Sequence, residues 1–320
     1  MQPFFPLVRN PHALTIFGNF ARRRLDEARF PVESKLYTTE PGVQVLVHTQ
    51  RPDLPARGEV VMLHGLEGSS SAGYMRSMAQ LALESGYAVH RTNMRSCGGT
   101  ESLCKTMYHA GLTADTLSII QQIRDRQTAP IYLIGYSLGG NVALKLAGEL
   151  GDQAVGILAG VCAVSTPVDL GACVRAMGRR RNRIYEWRFV SRLKERIRTR
   201  AASLPGVYPL HLLDKIHTVY EFDDKITAPY FGFGTADNYY ATQSSNQFVE
   251  HIRIPALLVQ AKDDPLIPFE VFNHPGILTN PNVRLIAVEH GGHLGFLSNR
   301  APRFWVDRVI VQWLSETGSN

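Results

Sequence analysis

Gly135-Tyr136-Ser137-Leu138-Gly139, followed by Gly140-Asn141, decides how the rest of the chain is read. The apolar run Ile131-Tyr132-Leu133-Ile134 leads into it, and an Ala/Leu-rich helical stretch leaves it. Small residues at both ends of a Gly-x-Ser-x-Gly turn let a strand and a helix approach closely, and the serine between them is forced into a tight, strained conformation. Its hydroxyl then projects from the carboxyl end of the strand, at a helix N-terminus whose dipole favours negative charge. The five-residue pattern alone is common by chance. The strand before it and the helix after it give it weight.

Outward from this turn, β-branched runs alternate with helical patterns, which points to an α/β protein with a mostly parallel sheet. Residues 36–39 and 43–50 alternate as a hairpin around Pro41-Gly42. Further strands are expected over 59–63, 87–92, 131–135, 155–164, 255–260 and 283–288. Helices are expected over 73–85, 113–126, 140–150 and 302–314. From about 167 to 251 the alternation breaks, and the sequence turns basic, aromatic and largely helical, with Phe189, Val190, Leu193 and Ile197 as an apolar stripe. The simplest organisation is an N-terminal arm (1–30), a sheet core (31–166 and 252–320) and a helical cap inserted at 167–251.

A serine hydroxyl needs a base before it becomes a good nucleophile. On a strand–turn–helix of this kind the partners are expected downstream, first an acid and then a histidine. Ala261-Lys262-Asp263-Asp264-Pro265 closes a strand, so its carboxylates sit at the sheet edge that carries Ser137. Asp264 is preferred because it precedes Pro265 directly and lies four residues before Pro268. Asp263 stays open as the alternative, with a surface or turn-stabilising role as its other reading. After the last strand comes Glu289-His290-Gly291-Gly292-His293-Leu294-Gly295-Phe296. His293, beyond the glycine pair, is the expected base, and His290 is expected to bond locally. Reading His290-x-x-His293 as a metal site fails for want of a third ligand nearby. An oxyanion would be held by two backbone N–H groups. Leu138, just after the serine, supplies one, and Leu66, in the turn His64-Gly65-Leu66-Glu67-Gly68, supplies the other. No metal or cofactor is expected.

Several stretches together resemble the YheT-like branch of the α/β hydrolases, the AB hydrolase 4 family. They are Asn10-Pro11-His12, His64 to Ser69, Asn93-Met94-Arg95-Ser96-Cys97-Gly98-Gly99, Gly135 to Asn141, Glu221-Phe222-Asp223-Asp224, Tyr239-Tyr240, Ala261 to Pro265 and His290 to Phe296. They span nearly the whole chain. The resemblance implies an eight-stranded, mostly parallel sheet flanked by helices, a Ser137–Asp264–His293 triad, and hydrolysis of short- to medium-chain carboxylic esters. One departure is visible: the family commonly has Arg-Gly-Cys where this chain has Arg95-Ser96-Cys97. That change is expected to touch loop packing rather than chemistry. An alcohol acyltransferase using the same triad and a non-catalytic binding scaffold are the rival readings.

Composition bounds the rest. The 320 residues are 44% hydrophobic and 19% charged, which suits one large folded unit rather than a disordered chain. The formal charge of +6 is concentrated between Arg175 and Arg200, where only Glu186 and Glu195 oppose a run of arginines. A solvated helical face is the expectation there, and contact with anionic lipid is the second reading. Nucleic acid is not expected, because no recognised module accompanies the charge. The four cysteines form no metal or redox spacing and read as free thiols. Tyr239 and Tyr240 are expected to pack the cap on the core, with Asp223 and Asp224 in structural hydrogen bonds. The N-terminal residues are broken by Pro3, Pro6 and Pro11 and do not read as a signal peptide. A cytoplasmic protein is the resulting expectation, with peripheral membrane contact as the second reading and a small acyl ester as its partner.

Overall fold

The computed structural model describes residues 3–318. These form an eight-stranded sheet in the order β1-β2-β4-β3-β5-β6-β7-β8. The strands are β1 (Glu33–Glu40), β2 (Val43–Gln50), β3 (Glu59–Leu63), β4 (Ala88–Thr92), β5 (Ile131–Tyr136), β6 (Gly160–Val164), β7 (Ala256–Ala261) and β8 (Val283–Val288). β2 pairs antiparallel with both β1 and β4, and every pairing from β4 to β8 is parallel.

A parallel sheet is covered on both faces, so its strands are apolar at successive positions rather than alternate ones. On β3, Val60 and Met62 face one side and Val61 and Leu63 the other, all of them fully buried. The first side packs on α2 (Gly73–Glu84) and α10 (Trp305–Thr317) through Met75, Met78, Val309 and Trp313. The second packs on α3 (Ala114–Arg124) and α4 (Leu138–Leu150) through Ile119, Ile120, Val142 and Leu146. All four cysteines are free and buried.

Between β6 and β7 the chain runs through α5 (Leu170–Met177), α6 (Arg183–Ser203), α7 (Val219–Phe222), α8 (Ala228–Tyr230) and α9 (Ala236–Gln243), with a π-helical stretch at Asp223–Thr227. Val190, Leu193 and Ile197 form the buried stripe of α6. The basic stretch is not uniformly a solvated face, however. Arg200 is fully buried, and its guanidinium donates to the carbonyls of Glu101, Cys104 and Lys105 and to the Tyr208 hydroxyl. Arg196 forks onto the Glu67 carboxylate at 2.8 and 2.9 Å. These two side chains fasten α6 to the core. Asp223 accepts from Tyr240 and Thr227, and Asp224 from the Ala236 backbone, as structural hydrogen bonds.

Other boundaries differ from the sequence reading. The expected strand over 155–164 is shorter: Gly151–Gly156 is a 3-10 turn with Val155 exposed, and pairing starts only at Gly160. A second glycine and an exposed valine end the apolar run that suggested a longer strand. The helix after Ser137 begins at Leu138, two residues earlier than expected, and the last helix spans Trp305–Thr317 rather than 302–314. The N-terminal arm contains a helix not foreseen, α1 (Pro11–Phe20), capped by Asn10 with Pro11 in its first turn.

The crossover order places β3 and β5 side by side, with Leu63 level with Gly135. The chain moves outward to β4 after β3 and returns to the other side as β5, so the exits of β3 and β5 flank a crevice at the carboxyl edge. Close approach there depends on glycine. A Cβ on Gly135 would stand 2.2 Å from the Gly139 carbonyl oxygen, and one on Gly139 2.6 Å from that of His64. We expect Gly139→Ala to destabilise the fold by about 1–3 kcal/mol through overpacking against backbone that cannot yield. Urea unfolding checks this, and an unchanged midpoint would show that the β3 exit can move aside.

Candidate active site

Ser137 follows the last residue of β5 and stands at the N-cap of α4 with φ 52° and ψ −122°, a left-handed conformation that a non-glycine residue adopts only when its surroundings enforce it. Its Oγ lies 3.0 Å from His293 Nε2. On the far side of the ring, His293 Nδ1 lies 2.9 Å from Asp264 Oδ2. The geometry fits one tautomer: Nδ1–H donates to the carboxylate, and Nε2 accepts from the serine hydroxyl. Asp264 is buried, and its Oδ1 accepts from the N–H groups of Leu266 and Ile267 at 2.9 and 3.1 Å, while Gln260 Nε2 donates to Oδ2. A carboxylate tied by its own loop in this way is fixed in rotamer and aims one oxygen at the imidazole.

The neighbouring carboxylate has a different task. Asp263 Oδ1 accepts from Gly291 N–H and Gly292 N–H, both at 2.9 Å, and Oδ2 lies 3.1 Å from His290 Nδ1. It braces the loop that carries His293 and does not reach His293 itself. His290 therefore bonds locally, as expected, and the two histidines face different partners rather than a common ion. The loop is also held from outside. His293 N–H donates to Thr15 Oγ1 of α1 at 2.9 Å, and Leu294 N–H donates to Ser165 Oγ at 3.1 Å. Gly18 of α1 packs so tightly on Gly295 that a Cβ would stand 2.7 Å from its Cα. Sequence reasoning missed Thr15, Ser165 and Gln260. The Asn10-Pro11 start signal could have revealed the helix that carries Thr15, but nothing in sequence spacing could have placed it against residue 293.

The turn after β3 faces Ser137 from the other side. A Cβ on Gly65 would stand 3.1 Å from Ser137 Cβ. Gly65 N–H donates to the Tyr74 hydroxyl and Glu67 N–H to the Tyr108 hydroxyl, each at 2.9 Å. Tyrosine hydroxyls thus take the backbone donors on both sides of Leu66, and Leu66 shares the lining of the cavity with Ser137, Leu138 and His293. His64 supports the turn from below. Full burial brings its pKa down to about 4, so the ring is neutral; Nδ1–H donates to the Gly65 carbonyl and Nε2 accepts from Met94 N–H. Ser70 N–H donates to the Asn93 side chain. The Asn93-Met94 stretch therefore props the β3 exit. Ser96 adopts φ 57°, a strain of about 1–2 kcal/mol that glycine would avoid, and its hydroxyl donates to the Arg95 carbonyl.

Two hollows meet at Ser137. One runs under the helical segment and is walled by apolar side chains, among them Leu138, Leu170, Met177, Leu193 and Phe222. Tyr239 and Tyr240 close it, and both are buried. The other opens to solvent between α1 and α6 and is lined by Asn19, Phe20, Ser69, Arg188, Arg192 and Thr199. Leu66, Glu67, Phe189, Arg196 and His293 border both.

Comparison with known proteins agrees with this architecture. A family model described as the alpha/beta hydrolase fold matches residues 59–300. YheT of Escherichia coli (strain K12), a candidate esterase by its name, is 34% identical over 262 residues, covering 80% of this chain and 76% of that protein. Mouse phospholipase ABHD3 is 28% identical, covering 82% of this chain and 64% of its own. A monoacylglycerol lipase of Saccharomyces cerevisiae is 28% identical, covering 81% and 59%. Among solved structures, an esterase of Pyrococcus furiosus superposes with a TM-score of 0.60 at 18% identity over 99% of both chains, which is a likeness of fold. With the sheet order, the strained serine turn and these matches in agreement, the chain belongs to the α/β hydrolase fold family.

Proposed function

We propose that the protein is a serine hydrolase of carboxylic esters that works through an acyl-enzyme on Ser137. The observation that carries this reading is the unbroken hydrogen-bond line from Ser137 Oγ through His293 to Asp264, at 3.0 and 2.9 Å. The names of the relatives, an esterase candidate, a phospholipase and a monoacylglycerol lipase, support ester cleavage as the reaction class.

In this mechanism His293 Nε2 takes the hydroxyl proton as Ser137 Oγ attacks the ester carbonyl carbon. Asp264 keeps the proton on Nδ1 and stabilises the imidazolium that forms. The carbonyl oxygen becomes an oxyanion, held by the N–H groups of Leu66 and Leu138. The tetrahedral intermediate collapses, the C–O bond to the alcohol breaks, and His293 gives its proton to the leaving alkoxide. Water then attacks the acyl-enzyme with His293 as base, and the acid departs from a restored serine. The apolar hollow under the helical segment takes the acyl chain, and the open groove takes the alcohol. The helical segment thus acts as a cap over the site.

Ser137→Ala is expected to abolish both ester hydrolysis and labelling by a fluorophosphonate probe, and turnover surviving in a clean preparation would refute the nucleophile. Asp264→Asn is expected to lower kcat by about 10⁴-fold with the serine turn intact. Asp263→Asn should cost far less in kcat, because it loosens the loop without disturbing the tautomer; equal losses would undo the division of labour between the two carboxylates.

Acyl length is the second readout. With p-nitrophenyl esters, kcat/KM should rise from acetate to medium-chain acyl groups, because each buried methylene contributes about 0.8 kcal/mol. Met177→Trp, which fills the apolar hollow, should move the optimum toward shorter chains. An unchanged chain-length profile would mean that the acyl chain lies elsewhere.

A further inference from the structure

We propose that the outer faces of α1 and the first half of α6 form one docking surface for an anionic lipid bilayer, set at the mouth of the groove that leads to Ser137. Large apolar side chains are exposed on both helices. On α1 these are Ile16, Phe17 and Phe20, and on α6 they are Ile184 and Trp187. Phe20 is 71% exposed, Ile184 77% and Trp187 69%, which is far beyond what packing of these helices requires. The opposite face of α1, with Leu14, Thr15 and Gly18, is buried against the His293 loop, so the helix is held in place while Ile16, Phe17 and Phe20 stay exposed on its outer face.

The two helices form one surface. His12 and Tyr185 stack with ring centroids 5.7 Å apart, and His12 Nδ1 lies 3.1 Å from the Tyr185 hydroxyl. The Arg188 guanidinium lies 5.9 Å from the centroid of the Phe20 ring. Ile16, Phe20, Tyr185 and Arg188 also line the open groove, so the surface is continuous with the passage to the serine.

Charge decides the occupant. Arg179, Arg180, Arg181, Arg183, Arg188 and Arg192 are exposed around Ile184 and Trp187, whereas Glu186 is buried and Glu195 is the exposed acid of this stretch. Exposed aromatic and aliphatic side chains ringed by arginines match an interface where apolar groups enter the acyl boundary and cations meet anionic headgroups. A second copy of this chain fits poorly, because a twofold contact would set the arginines against one another. A polyanion without an apolar interior would leave Ile184, Trp187 and Phe17 unused. Docking through this surface would let an ester pass from the bilayer into the groove without crossing water, but the surface itself does not depend on the ester chemistry.

The test uses full-length Ser137→Ala protein, so that vesicle lipid is not turned over and loss of docking is separable from loss of catalysis. Of the three tryptophans, Trp305 and Trp313 are buried in the core, which leaves Trp187 as the reporter of the surface. Phosphatidylglycerol vesicles are expected to co-sediment with the protein and to shift tryptophan emission to the blue, and phosphatidylcholine vesicles are expected to do so at least tenfold more weakly. Phe17→Ser with Ile184→Ser should weaken binding to phosphatidylglycerol at least tenfold. Arg180→Glu with Arg183→Glu should remove the preference between the two lipids. In the chain that keeps Ser137, neither pair should change hydrolysis of a water-soluble acetate ester. Absence of vesicle binding, binding without an emission shift, or a dimer in solution that shields Trp187 from quencher would each overturn the proposal.

Discussion

The strained turn at Ser137 is the constraint on which the rest of the molecule depends. A non-glycine residue at φ 52° is held there only because β5 and α4 leave no room to relax, and that closeness rests on Gly135 and Gly139. The strain is local, but its support is not. Strand pairing on both sides of β5 fixes where the serine oxygen projects, and β3 brings the Gly65–Leu66 turn against it. Other non-glycine residues with positive φ, Glu67, Ser96, Ser165, Leu294 and Phe296, lie in the loops around this same sheet edge. Conformational strain is concentrated where the proposed chemistry occurs, while the sheet supplies the packing that sustains it.

The histidine is held differently from the serine. Its loop has no regular structure and takes its shape from partners distant in the chain: Asp263 inside the sheet edge, Ser165 after β6, and Thr15 on α1. Two adjacent aspartates therefore divide two requirements. One positions the loop and the other orients the ring within it. That arrangement gives the N-terminal arm a direct part in the site, since α1 presses on the loop through Thr15 and Gly18 while turning its apolar outer face away.

The basic segment shows how one helix can carry opposite roles for the same residue type. Arg196 and Arg200 are turned inward, where a carboxylate and a set of carbonyls satisfy them, and they fasten the helix to the β3 and β4 exits. A buried guanidinium with several acceptors is costly to lose, because the groups it leaves behind stay unpaired. Arg179, Arg180, Arg181, Arg183 and Arg188, earlier in the same stretch, are exposed and set the surface charge. Net charge read along the sequence sums these two populations as if they were one.

What the sequence determined by itself was local and periodic. The serine turn is legible because backbone sterics at Ser137 demand glycine on both sides, and the strands of the sheet are legible because apolar runs of that length are buried on both faces. Asp264 and His293 are legible as candidates because each follows a strand, which puts it at one edge of any parallel sheet. The tertiary structure decided which of Asp263 and Asp264 meets the imidazole, since adjacent side chains differ only in where the folded loop points them. It also decided that α1 supports the His293 loop and that the arginines of α6 divide between core and surface. Those outcomes depend on contacts between segments far apart in the chain, and no spacing within a single stretch encodes them.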